Sequence, residues 1–409
     1  MVERLLVVKL ADVGDLLTAT PALRALRERF PSARIDVLAP PHSAGVLRGL
    51  SSVDDLVLFR KGLYDSPWQA LQPGALAEAL RLARRLRTAR YDAVLVLHHL
   101  VTRWGALKYA LLALATGAPR RYGLDNGLGR AWFLTHRAPD EGFGGAHEVD
   151  YWLRVVDLLD VGASPSSQGQ RAGARAHPRL EIAISPEDEE AASRLLGAGH
   201  RPTVAIHPGS GAFSLARRWP VDRFAAVADA LAERRGARIV LVGGPDEVGL
   251  CVELAALLRR PPLNLAGKTT LKQLAAVIRR CDLFVGNDGG LMHLAVAAGR
   301  PVVAVFGLSN HRAWGPYGYE EWTGGGPHPA FGTPLSLSGT CGPLRGRWAG
   351  GEGHPLHLVV RADLPCSPCF YRGHSMGNRF GCATRDCLRL VTPDAVLAAA
   401  EAALDAWLL

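Results

Sequence analysis

The sequence predicts an α/β protein made of two doubly wound parallel sheets. Three observations carry that expectation. The chain's 409 residues exceed what one hydrophobic core usually organises. Short apolar runs alternate with helical patterns through both halves. Glycine-bearing turns stand where several of those runs end, as they do at the ligand-binding edge of open sheets.

The first run, Leu5 to Leu10, has strand length and leads through Ala11-Asp12-Val13-Gly14-Asp15 into a helical face of Leu16, Leu17, Ala22, Leu23 and Leu26. Pro21 should interrupt that face, and the junction delivers Asp15 to the mouth of the sheet. Further strands are expected at Ile35 to Ala39, Leu56 to Phe59 and Ala93 to Leu97, with helices at Pro21 to Phe30, Ala75 to Thr88 and Tyr151 to Leu159. Ala163 to Pro178 is rich in Ser, Gly, Gln, Arg and Pro and reads as a linker, which closes a first domain at 1–178.

A second series follows. Strands are expected at Thr203 to His207, Arg238 to Val242, Leu283 to Gly286 and Val302 to Phe306. Helices near Val221 to Arg235, Val248 to Arg259, Leu271 to Arg280 and Leu291 to Ala298 separate them. Thr323 to His354 is Gly- and Pro-rich without periodicity and reads as a surface insertion or lid. This second domain spans 179–392, and a last helix occupies 393–409. Two such domains in series are expected to enclose a cleft between their sheet ends.

Composition narrows the class of partner. A hydrophobic share of 48% and a charged share of 21% argue against disorder. A net charge of +9 and a pI near 9.4 favour anionic partners: nucleotides, phosphorylated lipid surfaces or nucleic acid. Nucleic acid ranks last, because no reading module or aromatic-basic pattern occurs. Met1-Val2-Glu3-Arg4 enters the first strand without a cationic and apolar leader, so a cytoplasmic protein is expected. The longest apolar helical stretch, Trp104 to Ala118, contains Lys108 and falls short of the roughly 20 residues that span a bilayer. Arg81, Arg84, Arg85, Arg87 and Arg90 form a basic helix suited to an anionic membrane or, more simply, to a solvated face.

Chemistry concentrates in the second series. No G-x-G-x-x-G occurs, and Gly267-Lys268-Thr269 lacks the first glycine of a P-loop. His207 to Pro220 follows a strand and holds Gly209, Ser210, Gly211, Arg217 and Arg218: backbone amides and guanidinium groups that suit a diphosphate. Gly286-Asn287-Asp288-Gly289-Gly290 opens a helix whose first amides attract an anion; Asp288 is placed either to bind a sugar hydroxyl or to cap that helix. His293 serves either ligand or backbone. Gly243-Gly244-Pro245-Asp246-Glu247 ends another strand, and its acids suit ribose hydroxyls or a helix start. All three turns should line one pocket. Of seven cysteines, Cys366, Cys369, Cys382 and Cys387 have a spacing compatible with a structural zinc.

Taken in order, the blocks Lys9 to Leu23, His207 to Pro220, Gly243 to Glu247, Ala266-Gly267 with Leu271 to Leu274, Gly286 to His293 and Cys366 to Leu388 resemble family 9 of the glycosyltransferases, the bacterial heptosyltransferases of the lipopolysaccharide core. The resemblance implies the GT-B architecture, two facing Rossmann-like domains with an interdomain cleft, the acceptor on the first and the nucleotide-sugar donor on the second. It implies Asp15 as catalytic base. Gly14, Ser210, Arg217, Asp288, Gly289, Gly290 and His293 are implied at the donor and its phosphates, and Glu247 at the nucleotide ribose. The expected reaction is inverting and metal-independent, with ADP-heptose as donor, a glycolipid as acceptor and peripheral contact with the inner membrane face. Thr323 to His354 departs from the family by its length. The competing readings are a GT-B transferase with another nucleotide sugar and surface glycan, and a non-catalytic nucleotide-sugar-binding protein; retention of Asp15 and Asp288 favours an enzyme.

Overall fold

In the computed structural model, which describes residues 2–160, 178–199, 202–321 and 355–408, the chain divides into two units. Unit 1 is Met1–Ala183 with Gly373–Ser375, and unit 2 is Ile184–Arg372 with Met376–Leu409. The C-terminal helix therefore clusters with unit 2. The 323–354 insertion and all of the 163–178 linker except Pro178 lie outside the described residues.

Unit 1 runs β1 (Arg4–Val8), α1 (Val13–Arg29), β2 (Arg34–Ala39), β3 (Asp55–Leu58), α2 (Pro67–Ala70), α3 (Pro73–Thr88), β4 (Ala93–Val96), α4 (Arg103–Ala115), β5 (Arg120–Asp125), β6 (His136–Pro139) and α5 (Glu148–Asp157). Its sheet has the order β3-β2-β1-β4-β5-β6, and every pairing is parallel. Register places Leu5 beside Ile35 on one side and Ala93 on the other. One face of the sheet, with Leu6, Val8, Val94 and Val96, packs on Leu86, Tyr109, Ala110 and Ala113 of α3 and α4. The strand order reverses between β1 and β4, and the crevice beyond that point is where doubly wound sheets receive ligands.

Pro21 does not interrupt α1. The helix continues through it from Val13 to Arg29. A proline inside a helix deprives the carbonyl four residues earlier of its amide partner. Here the Thr20 hydroxyl donates to that carbonyl, Leu17 O, at 2.7 Å. A side chain replaces the missing donor.

Unit 2 runs α6 (Pro186–Leu196), β7 (Thr203–His207), α7 (Val221–Arg234), β8 (Arg238–Leu241), α8 (Val248–Leu257), β9 (Leu263–Asn264), α9 (Leu271–Arg279), β10 (Leu283–Asn287), α10 (Gly290–Ala297), β11 (Val302–Phe306), α11 (His311–Trp314), β12 (Glu320–Glu321), β13 (His357–Arg361), β14 (Phe370–Arg372), β15 (Ser375–Gly377), α12 (Asp386–Arg389) and α13 (Pro393–Leu408). The parallel order β12-β13-β11-β10-β7-β8-β9 reverses between β7 and β10. Val204, Ile206, Val285, Val303 and Val360 meet Phe224 and Leu231 of α7 and Val396, Ala400 and Leu404 of α13. Each large side chain buried there contributes about 1.5–3 kcal/mol relative to exposure. Both units are thus Rossmann-like. No helix among the described residues is long and apolar enough to cross a membrane.

Candidate active site

In unit 1 the chain leaves β1 through Lys9 and Leu10, and α1 begins two residues before Asp15. A carboxylate in the first helical turn faces the positive end of the helix dipole. Burial nevertheless pushes the Asp15 carboxyl up to about 6, opposed by the Lys9 ammonium and reinforced by Glu148 and Asp12. That value suits a group that must be ionised near neutrality to accept a proton. Gly14 is buried beside it in the same turn.

The neighbouring strand, β4, contributes two histidines. His98 stacks on Tyr109 of α4 with centroids 4.5 Å apart, and burial drives its pKa well below the usual value, so the ring is neutral. His99 lies between two carboxylates, Nδ1 at 2.9 Å from Asp140 and Nε2 at 2.9 Å from Glu148. Burial disfavours its charge, yet the two acids outweigh burial and carry it to about 9. An imidazolium braced on both sides is a rigid post at the sheet edge. The sequence contains no motif that would mark this cluster, because its members come from residues 99, 140 and 148.

Unit 2 brings together most of the residues expected at the donor. Arg217 Nη1 donates to Asp288 Oδ2 at 3.1 Å and Nη2 to the Ser210 carbonyl at 2.6 Å. Asp288 therefore does not cap α10; the cap position belongs to Gly289, which makes no side-chain bond. A Cβ added at Gly289 would lie 3.5 Å from the Ser210 backbone, so the two turns are in close contact. Gly290 begins α10, and His293 is buried three residues into it. These residues stand at the β7–β10 switch point, with helix-start amides beside a guanidinium, which is an arrangement for an anion.

Glu247 knits the third turn to the first. Its Oε2 accepts from His207 Nε2 at 2.8 Å and from the Gly244 amide at 3.1 Å, and Oε1 accepts from the Gly211 amide at 2.9 Å. Burial alone would raise its pKa; the His207 contact and the two amides instead bring it down to about 2. A Cβ at Gly209 would fall 2.0 Å from Glu247 Oε1, so only glycine leaves room for this carboxylate. Arg218 Nη2 stands 3.9 Å from Oε1.

Asn287 was not singled out by the sequence, yet it organises the pocket. Its side-chain amide donates to the Pro208 and Gly209 carbonyls at 2.8 and 3.1 Å, and its oxygen accepts from the Trp219 amide at 2.9 Å. It pins both ends of the phosphate-type loop to β10.

Among the four clustered cysteines, Cys366 and Cys382 are exposed and Cys387 is buried. Burial, then the neighbouring Cys369, Cys382 and Cys366, push the Cys387 thiol up to about 11. The thiols share one neighbourhood, but among the described residues no group of three or more His, Cys, Asp or Glu side chains is arranged to hold a metal ion.

Comparison with known proteins agrees with the two Rossmann-like units. The model of glycosyltransferase family 9 (heptosyltransferase) matches residues 79–324. Lipopolysaccharide heptosyltransferase 2 of Salmonella typhimurium is 29% identical over 314 residues, 75% of this chain and 83% of that protein. Lipopolysaccharide core heptosyltransferase of Haemophilus influenzae is 25% identical over 321 residues, 77% of this chain and 82% of its own length. Among solved structures, the E. coli ADP-heptose lipopolysaccharide heptosyltransferase II aligns with a TM-score of 0.66 at 25% identity, covering 98% of both chains. A family 9 glycosyltransferase of Veillonella parvula aligns at 0.63 and 25% identity, over 77% of this chain and 83% of that one.

Proposed function

The chain belongs to glycosyltransferase family 9 and is a glycosyltransferase, and from that premise we propose that it moves a heptose from ADP-heptose to a lipopolysaccharide-core-type glycolipid, with inversion and without a catalytic metal. The observation that carries the donor assignment is the Arg217–Asp288 pair set beside the start of α10 at the unit 2 switch point. The heptosyltransferases named above support the choice of sugar.

In this reading the acceptor hydroxyl attacks the anomeric carbon from the face opposite the diphosphate. Its proton passes to the Asp15 carboxylate as the new C–O bond forms. The bond from the anomeric carbon to the phosphate oxygen breaks with its electron pair, and ADP leaves. Arg217 and the α10 amides take up the charge that develops on that oxygen. Glu247 holds the turn that receives the ribose.

Replacing Asp15→Asn should lower transfer by about 10²–10⁴-fold, the range general bases contribute, while ADP affinity, measured calorimetrically, stays unchanged because Arg217, Asp288 and the start of α10 belong to unit 2. Full transfer by that variant removes Asp15 from the mechanism. A panel of nucleotide sugars tests the donor; preference for one other than ADP-heptose replaces the heptose assignment.

Contact with the membrane that carries the acceptor belongs to unit 1. Trp68 is 81% exposed, and Leu71, Leu76 and Leu80 are exposed with it along α2 and α3. Arg81, Arg84, Arg85, Arg87 and Arg90, all exposed, follow on the same segment. Apolar side chains beside a basic cluster suit an anionic bilayer surface. Sedimentation with phosphatidylglycerol vesicles at low salt, lost in Trp68→Ser/Leu80→Ser, is expected; failure of the native chain to sediment ends this part of the reading.

A further inference from the structure

Lys9 stands at the end of β1 with no role in the reaction as just described. It is 1% exposed, and none of the ion pairs among the described residues includes it. Its ammonium rests instead on the face of Trp152 in α5, 3.8 Å from the ring centroid. A buried ammonium without a carboxylate in contact is costly, and the ring quadrupole offsets only part of that cost. The acid facing it from α5 is Glu148, whose Oε1 is committed to His99 while Oε2 is buried without a partner. Because α1 and α5 pack on one another, Asp15 and the Glu148–Trp152 turn stand on adjoining elements at the sheet edge.

We propose that Lys9, seated on Trp152, is the positioning residue that sets the charge of Asp15, with Glu148 as the opposing charge. The proposal rests on the reading of Asp15 as base. Lys9 and Glu148 act on Asp15 with opposite sign, Lys9 favouring the carboxylate and Glu148 the neutral acid. The other groups that face Asp15 are Asp12, which is paired with His42 at 3.0 Å, Lys61, and the neutral phenol of Tyr109. His98 and His99 lie on the next strand end. Of these, His99 is a buried cation too, but it is held between Asp140 and Glu148, whereas Lys9 has no carboxylate in contact and acts directly on Asp15. Without it a carboxyl already disfavoured by burial would be less ionised near neutral pH and a poorer acceptor for the proton.

The test is the Asp15 titration itself, followed by NMR in full-length chain labelled with ¹³C-aspartate and assigned by loss of the signal in Asp15→Asn. In Lys9→Met the midpoint should rise by at least about one pH unit, the direction a lost neighbouring cation requires. In Glu148→Gln it should fall. Transfer should follow: with Lys9→Met, kcat/KM at pH 5.5 drops about tenfold for each pH unit by which the midpoint rises, and recovers by pH 9. A merely structural role would lower activity at every pH and would not move two midpoints in opposite directions. Unmoved midpoints, or movement in the same direction in both variants, overturn the proposal. If Lys9→Met does not fold, the direction in which Glu148→Gln moves the midpoint decides. Full transfer by Asp15→Asn would instead end the base reading while leaving the two titration results intact, so the two failures are separable.

Discussion

Arg217 is the residue on which donor binding should depend most. Asp288 and the Ser210 carbonyl hold its guanidinium in place before any ligand arrives, so little side-chain entropy remains to be lost on binding. Hydrogen bonds to charged groups contribute about 1.5–3 kcal/mol. Arg217→Ala should therefore weaken ADP binding about 10–100-fold, and Asp288→Asn, which frees the arginine but keeps its charge, should weaken it less. Calorimetric titration with ADP reads both; an unchanged Kd in Arg217→Ala moves the phosphate site elsewhere. Each of these residues was visible in the sequence as a type in a turn. Their pairing was not, because 71 positions separate Arg217 from Asp288.

At the level of elements, α1 shows how local chemistry overrides a breaker. Thr20 donates to Leu17 O at 2.7 Å and accepts from the Glu181 amide at 2.9 Å, so one hydroxyl serves both the proline gap and the end of unit 1. Thr20→Val keeps the shape and removes both bonds. Leaving the buried Leu17 carbonyl without a partner should cost about 1–3 kcal/mol, with a smaller addition from the part-buried Glu181 amide, read as a lower urea midpoint at constant m. Adding Pro21→Ala restores an amide for Leu17 and should recover part of the loss. No change in midpoint would mean that the helix tolerates Pro21 by another route. The apolar period of Leu16, Leu17, Leu23 and Leu26 was legible; a threonine acting as a backbone donor looks like any other threonine.

Over the whole molecule, each unit carries a buried histidine–carboxylate contact just beyond its sheet, and the two respond to opposite ends of the pH scale. Glu247, lowered from 4.5 to about 2, adds about 3 kcal/mol that is complete above pH 4.5 and is lost as pH falls through 2. His99, raised from 6.5 to about 9, adds a similar amount that is complete below pH 6.5 and is lost as pH rises through 9. Urea denaturation across pH should show the acid-side decline flattened in Glu247→Gln and the alkaline-side decline flattened in His99→Gln. Equal slopes in native and variant chains would deny these pairs their part. The sequence by itself determined the two parallel sheets, since periods and glycine turns are local properties that survive without neighbours. It also marked the turns from which Asp15, Arg217, Glu247 and Asp288 project. Only the tertiary structure decided that Asp288 holds an arginine rather than a helix end, that Asn287 ties the loop to its strand, and that Lys9 lies on Trp152. Those contacts join residues far apart in the chain, and their energies come from burial and charge, which a single sequence does not display.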